Sequence, residues 1–103
     1  MAGAKKNPIK KTIKPGKDIV ASGAEDFKKK LLKIVKQGIK ELTIDLTGVE
    51  MVDSVGLGVL IATHNSLEDM GGKLKIKNVP EDIFNLIKAM RLDQHFEVSM
   101  VGA

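Results

Sequence analysis

Short runs of β-branched residues alternate with longer segments of helical period along most of this chain, and that alternation limits the folds open to it. After Ile39 the sequence reads as strand, helix, strand, helix and strand, with strand-length runs at residues 42–46 and 73–77. Gly71 and Gly72 end the first of these two helical patterns. Strands that are linked through helices pair mainly in parallel with right-handed crossovers. The sequence therefore predicts an α/β fold with helices over at least one face of the sheet.

The first third of the chain adds a further helix and weaker strand signals. Residues 8–13 predict an edge strand, and residues 18–21 a short second strand. Ser22 and Glu25 have the spacing of a capping box, which predicts a helix that starts at Ser22 and ends at Gly38. The later predictions are a helix from Ser54 with Leu57, Leu60, Ile61 and Leu67 inward, a helix with Pro80 as its first residue and with Ile83, Leu86, Ile87 and Met90 inward, and a last strand at residues 96–100.

Composition restricts the class of protein further. The 103 residues suit a single domain, and we expect a flexible basic tail at residues 1–7 followed by one domain at residues 8–103. The chain has no cysteine, which excludes disulfides and thiolate chemistry. Its longest apolar stretch, Val55 to Ala62, is far shorter than the roughly 20 residues that cross a bilayer. We therefore expect a cytoplasmic protein without a membrane span.

The net charge of +4 comes from the amino-terminal end of the chain. Residues 1–17 hold six lysines and no acidic residue, so the remainder is slightly acidic. Nucleic-acid-binding domains usually carry a basic face on the fold itself, often with aromatic residues that stack on bases. This chain has three Phe and neither Trp nor Tyr. We therefore expect a solvated basic tail and no direct binding to nucleic acid.

The segment DSVGLG at residues 53–58 lies where a strand's carboxyl end meets a helix, and functional groups gather there in α/β folds. Ser54 is expected at the N-cap or in the first turn, where its simplest role is to accept a backbone N–H. Because the amino end of a helix favours an anion, a phosphate on Ser54 would also be tolerated. Gly56 and Gly58 each cost the helix roughly 1 kcal/mol. Their bare backbone would let another protein come close.

Asp53, beside this serine, has three interpretations that the sequence leaves open. It can form the turn before the helix, help to position a metal–nucleotide complex in a visiting kinase, or contact a partner directly.

Enzymatic interpretations find less support. Asp45 at a strand end could act as a phosphoacceptor or metal carboxylate, but a receiver-type site needs an acidic pair, and the chain offers only Asp18 after its first strand. His64 lies on an apolar helical face and is expected to be partly buried and hydrogen-bonded, while His95 is expected at a turn. The sequence has no phosphate-cradling loop and no useful metal-ligand spacing. We predict a protein that is not an enzyme and that needs neither cofactor nor metal.

The stretch LTIDLTGVEMVDSVGLGVLIATHNSLEDMGGKLKIKNV, together with RLDQHFEV downstream, resembles the STAS domain of anti-sigma factor antagonists. The similar region covers about residues 8–100, and DSVGLG followed by a glycine pair is its most specific part. The resemblance implies a small α/β domain. Its sheet is expected to be mixed but mostly parallel, with roughly four to five strands, and about three to four helices are expected mainly on one face.

The resemblance also implies a function. In that family the serine after the aspartate is phosphorylated by a partner anti-sigma factor that is itself a serine kinase, and the unphosphorylated domain binds this partner and releases a sigma factor. By position the phosphoacceptor is Ser54. The implied partner-binding residues are Asp18, Asp53, Ser54, Val55, Gly56, Leu57 and Gly58. A serine phosphatase would reset the cycle. The sequence also leaves a weak homodimer open.

Two alternatives remain at this stage. The chain could be a STAS subunit of another signalling, stressosome, chemotaxis or lipid or anion transport complex, in which Ser54 is only a helix N-cap. The minor alternative is a phosphotransfer enzyme that uses Asp45.

Overall fold

The computed structural model describes residues 10–102, so the expected tail at residues 1–7 and the first two residues of the predicted strand 8–13 lie outside the described residues. The described strands are β1 (Lys10–Ile13), β2 (Glu41–Asp45), β3 (Lys73–Val79) and β4 (Glu97–Met100). The helices are α1 (Ala21–Val35), α2 (Ser54–Asp69) and α3 (Glu81–Ala89), and a short 3-10 turn spans Leu92–Gln94. The α/β architecture predicted from the alternation is confirmed.

The four described strands form one sheet in the order β1-β2-β3-β4, and each neighbouring pair is parallel. The register places Leu42 beside Leu74 and Ile44 beside Ile76. These four side chains are almost completely buried, and they belong to the single hydrophobic core. Because side chains alternate along a strand, this row forms the apolar face of the sheet.

The alternate side chains of the same strands form a polar face. Lys75 lies between two carboxylates, with its Nζ at 3.5 Å from Glu41 and 3.4 Å from Glu97. Hydrogen bonding to Glu97 and the charge of Glu41 raise the pKa of Lys75. On the polar face, the positive charge of Lys75 is therefore balanced by the carboxylates of Glu41 and Glu97.

Helices α1 and α2 pack against each other and contribute leucines to the core. Leu31 of α1 and Leu57, Leu60 and Leu67 of α2 are all buried, as the helical spacing predicts. The chain turns after each of these helices at a glycine with positive φ, Gly38 (φ 88°) and Gly71 (φ 76°). Both predicted helix ends therefore coincide with backbone conformations that favour glycine.

Three details of the predicted elements are wrong. Helix α1 begins at Ala21 and its N-cap residue is Val20, whose own side chain makes no capping hydrogen bond, so Ser22 is not the N-cap. The predicted strand at residues 18–21 is reduced to one bridge between Ile19 and Val52, because Ala21 already belongs to the helix. Pro80 is the N-cap of α3 and not its first helical residue.

The inward face of α3 is also narrower than predicted. Ile83 and Ile87 are buried, but Leu86 and Met90 are 39% and 48% exposed. Residues three and four apart share a helix face, so one contact row buries Ile83 and Ile87 and turns the flanking positions to solvent. Between residues 10 and 102, no helix is both long enough and apolar enough to cross a bilayer.

Candidate functional site

The loop between β2 and α2 is fastened to the segment before α1. The Ile19 N–H donates to the carbonyl of Met51 at 3.0 Å, and the Asp53 N–H donates to the carbonyl of Ile19 at 3.3 Å. Asp18 Oδ1 accepts the N–H groups of Glu50 at 2.9 Å and Met51 at 3.0 Å. These bonds hold the loop that leads into α2. Asp18, an implied partner-binding residue, thus stabilises this loop although it is exposed to solvent.

Asp53 caps both helices that meet at this loop. Its Oδ1 accepts the Gly56 N–H of α2 at 2.8 Å, and its Oδ2 accepts the Ala21 N–H of α1 at 3.0 Å. These N–H groups, Gly56 first and then Ala21, stabilise the ionised carboxyl and lower the pKa of Asp53. Of the three interpretations of Asp53, the structure shows the first, in which the carboxylate forms the turn before α2. The sequence did not indicate that Asp53 would also cap α1.

Ser54 is the first residue of α2 and is exposed. Because Asp53 supplies the cap, the Ser54 hydroxyl takes part in none of the side-chain hydrogen bonds found within residues 10–102. The first-turn position predicted for Ser54 is confirmed. The alternative that makes Ser54 the N-cap is wrong, since that position belongs to Asp53.

The two glycines of the motif have different roles. Gly56 is buried, and a Cβ there would overlap the carbonyl oxygen of Ile19. Gly58 is exposed, and a Cβ there would meet no atom within 4 Å. The close backbone approach expected at both positions therefore occurs within the chain at Gly56. Only Gly58 offers bare backbone to the outside.

The implied partner-binding set divides by exposure. Ser54, Gly58 and Val55 face solvent, with Val55 48% exposed, whereas Gly56 is buried and Leu57 is only 1% exposed. A partner can therefore touch the first group, while Leu57 packs into the core.

Sequence reasoning missed one exposed apolar residue at this site. Met51 lies in the loop just before Asp53 and is 57% exposed. The same loop holds two further apolar residues, Val49 and Val52, which are buried, so no signal in the sequence distinguished Met51 from them.

Asp45 forms a separate network at the carboxyl ends of β2 and β3. Its Oδ1 accepts the Thr47 N–H at 2.9 Å, the Thr47 hydroxyl at 2.7 Å and the Asn78 amide at 2.9 Å. The Thr47 hydroxyl and then Asn78 are the main causes that lower the pKa of Asp45 to about 2. Asp45 is buried and engaged in holding its loop, which argues against the phosphoacceptor role.

The two histidines lie near each other at the far end of α2. His64 is buried, with its ring centroid 5.6 Å from that of Phe96 and 6.0 Å from that of His95. Its Nε2 is 4.0 Å from Glu68, and its Nδ1 has no hydrogen-bond partner within the described part of the chain. The predicted burial is confirmed, but the predicted hydrogen bonding is not found. Within residues 10–102, no three His, Cys, Asp or Glu side chains form a metal-binding group.

Sequence comparison finds both a family model and named proteins that are similar to this chain. The family model described as "STAS domain" matches residues 4–101. Over 82 residues the chain is 32% identical to the anti-sigma-B factor antagonist of Bacillus subtilis strain 168, which covers 80% of this chain and 74% of that protein.

Two solved structures have the same fold. A Thermotoga maritima protein assigned as an anti-sigma factor antagonist matches with a TM-score of 0.84 and 23% identity, over 88% of this chain and 79% of that one. The Bacillus cell fate determinant SpoIIAA in its phosphorylated form matches with a TM-score of 0.71 and 15% identity, over 89% and 84% of the two chains. At these identities the likeness concerns the fold alone.

Proposed function

Because this chain belongs to the STAS domain family, we propose that it is an anti-sigma factor antagonist whose binding is switched off by phosphorylation of Ser54. The unphosphorylated chain binds an anti-sigma factor that is also a serine kinase, and the bound sigma factor is released. Phosphorylation ends this binding, and a serine phosphatase restores it. The chain is a regulator and a kinase substrate, and it acts in the cytoplasm with the transcription machinery.

The observation that carries the proposal is that Asp53 caps the helices while the adjacent Ser54 hydroxyl stays exposed. Asp53 satisfies the first turn of α2 and the start of α1, and it leaves the hydroxyl of Ser54 exposed at the helix surface. A hydroxyl that capped the helix would have to give up a structural bond on modification. Here phosphorylation of Ser54 costs the fold no side-chain hydrogen bond.

The electrostatics of the same position support a switch. A phosphate on Ser54 would add roughly −1.5 to −2 charges beside the ionised carboxylate of Asp53. The amino end of α2 tolerates an anion, so the helix persists. An acidic partner surface that fits the neutral serine would then face two adjacent anions, and like charges brought together at an interface cost several kcal/mol.

The relatives support the choice of partner. The Bacillus subtilis protein with 32% identity is named for its action against an anti-sigma factor. SpoIIAA from Bacillus, which has the same fold, has been solved in a phosphorylated form.

A phosphotransfer assay tests the proposal directly. Each serine-kinase anti-sigma factor of the host is purified and incubated with the chain and Mg-ATP, and the phosphate is located by peptide mass spectrometry. We expect one phosphate, on the peptide that contains Ser54, and no labelling of the Ser54→Ala variant. Phosphate on another residue, or no transfer from any of these kinases, would overturn the proposal.

A further inference from the structure

Gly58 weakens α2 without a structural reason that the fold supplies. Gly58 lies inside the helix, where glycine is less stable than alanine, yet a Cβ at this position would meet no atom within 4 Å. Gly56, two residues earlier, is excluded from carrying a side chain by the Ile19 carbonyl. No such neighbour constrains Gly58, so the space above it is open to a side chain from another protein.

The space above Gly58 is a small groove between α1 and α2. The cavity measures about 190 Å³ and is lined by Ala24, Glu25, Lys28, Val55, Gly58 and Val59. Ala24 and Val59 are buried beneath it, and Val55 forms an exposed apolar wall. Glu25 and Lys28 stand on the α1 side with opposite charges, which leaves the rim without net charge. We call this feature the Gly58 groove.

We propose that the Gly58 groove receives an apolar side chain of the anti-sigma factor that docks at Ser54. This inference rests on the proposed function, because the occupant is the same kinase partner. An apolar occupant fits because Ala24, Val55 and Val59 offer it apolar contact. A charged occupant would lose hydration there and gain no net opposite charge from the rim.

The position of the groove brings it within reach of a partner that docks at Ser54. Ser54 and Gly58 are four residues apart in α2 and therefore lie on the same helix face. A kinase must bring its reacting atoms to about 3–3.5 Å from the Ser54 hydroxyl. A specific interface covers roughly 800 Å² on each partner. A footprint of that size around Ser54 includes the groove one helical turn away.

The test compares glycine replacements in the two helices. Gly58→Ala and Gly58→Leu place side chains in the groove. Gly23→Ala is the matched control, because Gly23 lies in α1, a Cβ there also meets no atom within 4 Å, and it does not line this groove. Both alanine variants should raise the Tm, by about 4–8 °C, since each removes a helical glycine.

Affinity should separate the same variants. Binding is measured by titration calorimetry against the kinase that phosphorylates Ser54 in the assay above. We expect Gly58→Ala to weaken binding by about tenfold, Gly58→Leu to weaken it further, and Gly23→Ala to leave it unchanged. The combination of higher stability with lower affinity at residue 58 is the signature of a groove kept open for a partner.

The outcomes distinguish this inference from the proposed function. If the kinase binds and phosphorylates the wild type at Ser54 but binds the Gly58 variants equally well, the groove has no role and the proposed function stands. If no such kinase acts on Ser54, both proposals fail. If sedimentation shows a dimer that Gly58→Leu dissociates while kinase affinity is unchanged, the occupant is a second copy of the chain and the inference is wrong.

Discussion

At the residue scale, the site depends on one carboxylate that serves two helices. Asp53 accepts N–H groups from Ala21 and Gly56, residues that are far apart in sequence, and both bonds favour its charged form. The same arrangement frees the neighbouring Ser54 hydroxyl from any capping duty. A structural residue and a modifiable residue can therefore stand side by side without competing for the same backbone donors.

Replacement of Ser54 tests the charge switch. Ser54→Asp should weaken binding to the anti-sigma factor by tenfold or more, because it fixes a negative charge where the phosphate would stand, whereas Ser54→Ala should preserve binding. Calorimetric titration measures both. Asn65→Asp adds a charge at an exposed position of the same helix, about 16 Å along its axis, and serves as the control. Equal affinities for the Asp and Ala variants at residue 54 would refute the switch.

Gly56 should respond to substitution in the opposite sense to Gly58. Gly56→Ala places a Cβ against the Ile19 carbonyl, so the two segments must separate. We expect a loss of roughly 1–3 kcal/mol in the free energy of unfolding, which urea denaturation would reveal. Gly58→Ala, measured alongside, should gain stability. A Gly56→Ala variant as stable as the wild type would mean that the Ile19 contact does not constrain α2.

At the element scale, β2 and β3 are joined at their carboxyl ends by Asp45. Its Oδ1 holds Thr47 of the loop after β2 and Asn78 near the end of β3, where the backbone takes a left-handed conformation (φ 56°). Positive φ is several times more frequent for asparagine than for most residues. The Asp45 network thus fixes the start of the loop that continues to Asp53 and Ser54.

The lowered pKa of Asp45 predicts a specific response to acid. Because its folded-state pKa, about 2, is below the ordinary value of 3.8, the ionised carboxylate stabilises the fold fully at neutral pH. That contribution declines as the pH falls below about 4 and is lost once it passes below about 2. Urea denaturation at a series of pH values would measure the decline.

Asp45→Asn is the matched variant for this measurement. It keeps the shape and an acceptor oxygen but removes the charge, so we expect a loss of about 2 kcal/mol at neutral pH. The difference from the wild type should then shrink as the pH approaches 2. A difference that stays constant with pH would show that the Asp45 charge does not stabilise the fold.

At the scale of the whole molecule, the switch site is attached to a core that does not need to move. One core extends from the apolar face of the sheet through α1 and α2, with Leu31, Leu42 and Leu60 fully buried. Ser54 lies outside this core on an exposed first turn. A change of charge at Ser54 can therefore alter partner binding without refolding the domain.

This separation gives a prediction for the modified chain. In the Ser54→Asp variant, amide chemical shifts should change around residues 18–28 and 50–60, while hydrogen-exchange protection in β2 and β3 stays as in the wild type. Two-dimensional NMR measures both quantities on one sample. Loss of protection in the central strands would contradict a local electrostatic switch and indicate refolding. Asn65→Asp, with changes confined to its own surroundings, is the reference.

The sequence determined the order of the elements and most of the core. The apolar periods that mark α2 and the strand-length runs at β2 and β3 are local properties, so they can be seen in the chain itself. The first-turn position of Ser54 followed from the same local pattern. The predicted burial of Leu86 and Met90 was wrong, because the helical period alone does not give the width of the face that α3 buries.

Only the tertiary structure decided which residue caps the helices and which glycine is free. Asp53 meets Ala21 across 32 positions of sequence, and Gly56 of α2 meets Ile19 of the segment before α1. Such contacts depend on how α1 and α2 pack, so no local pattern contains them. Capping and close approach are settled by atoms brought together in space, whereas strand and helix order is settled by periodicity along the chain.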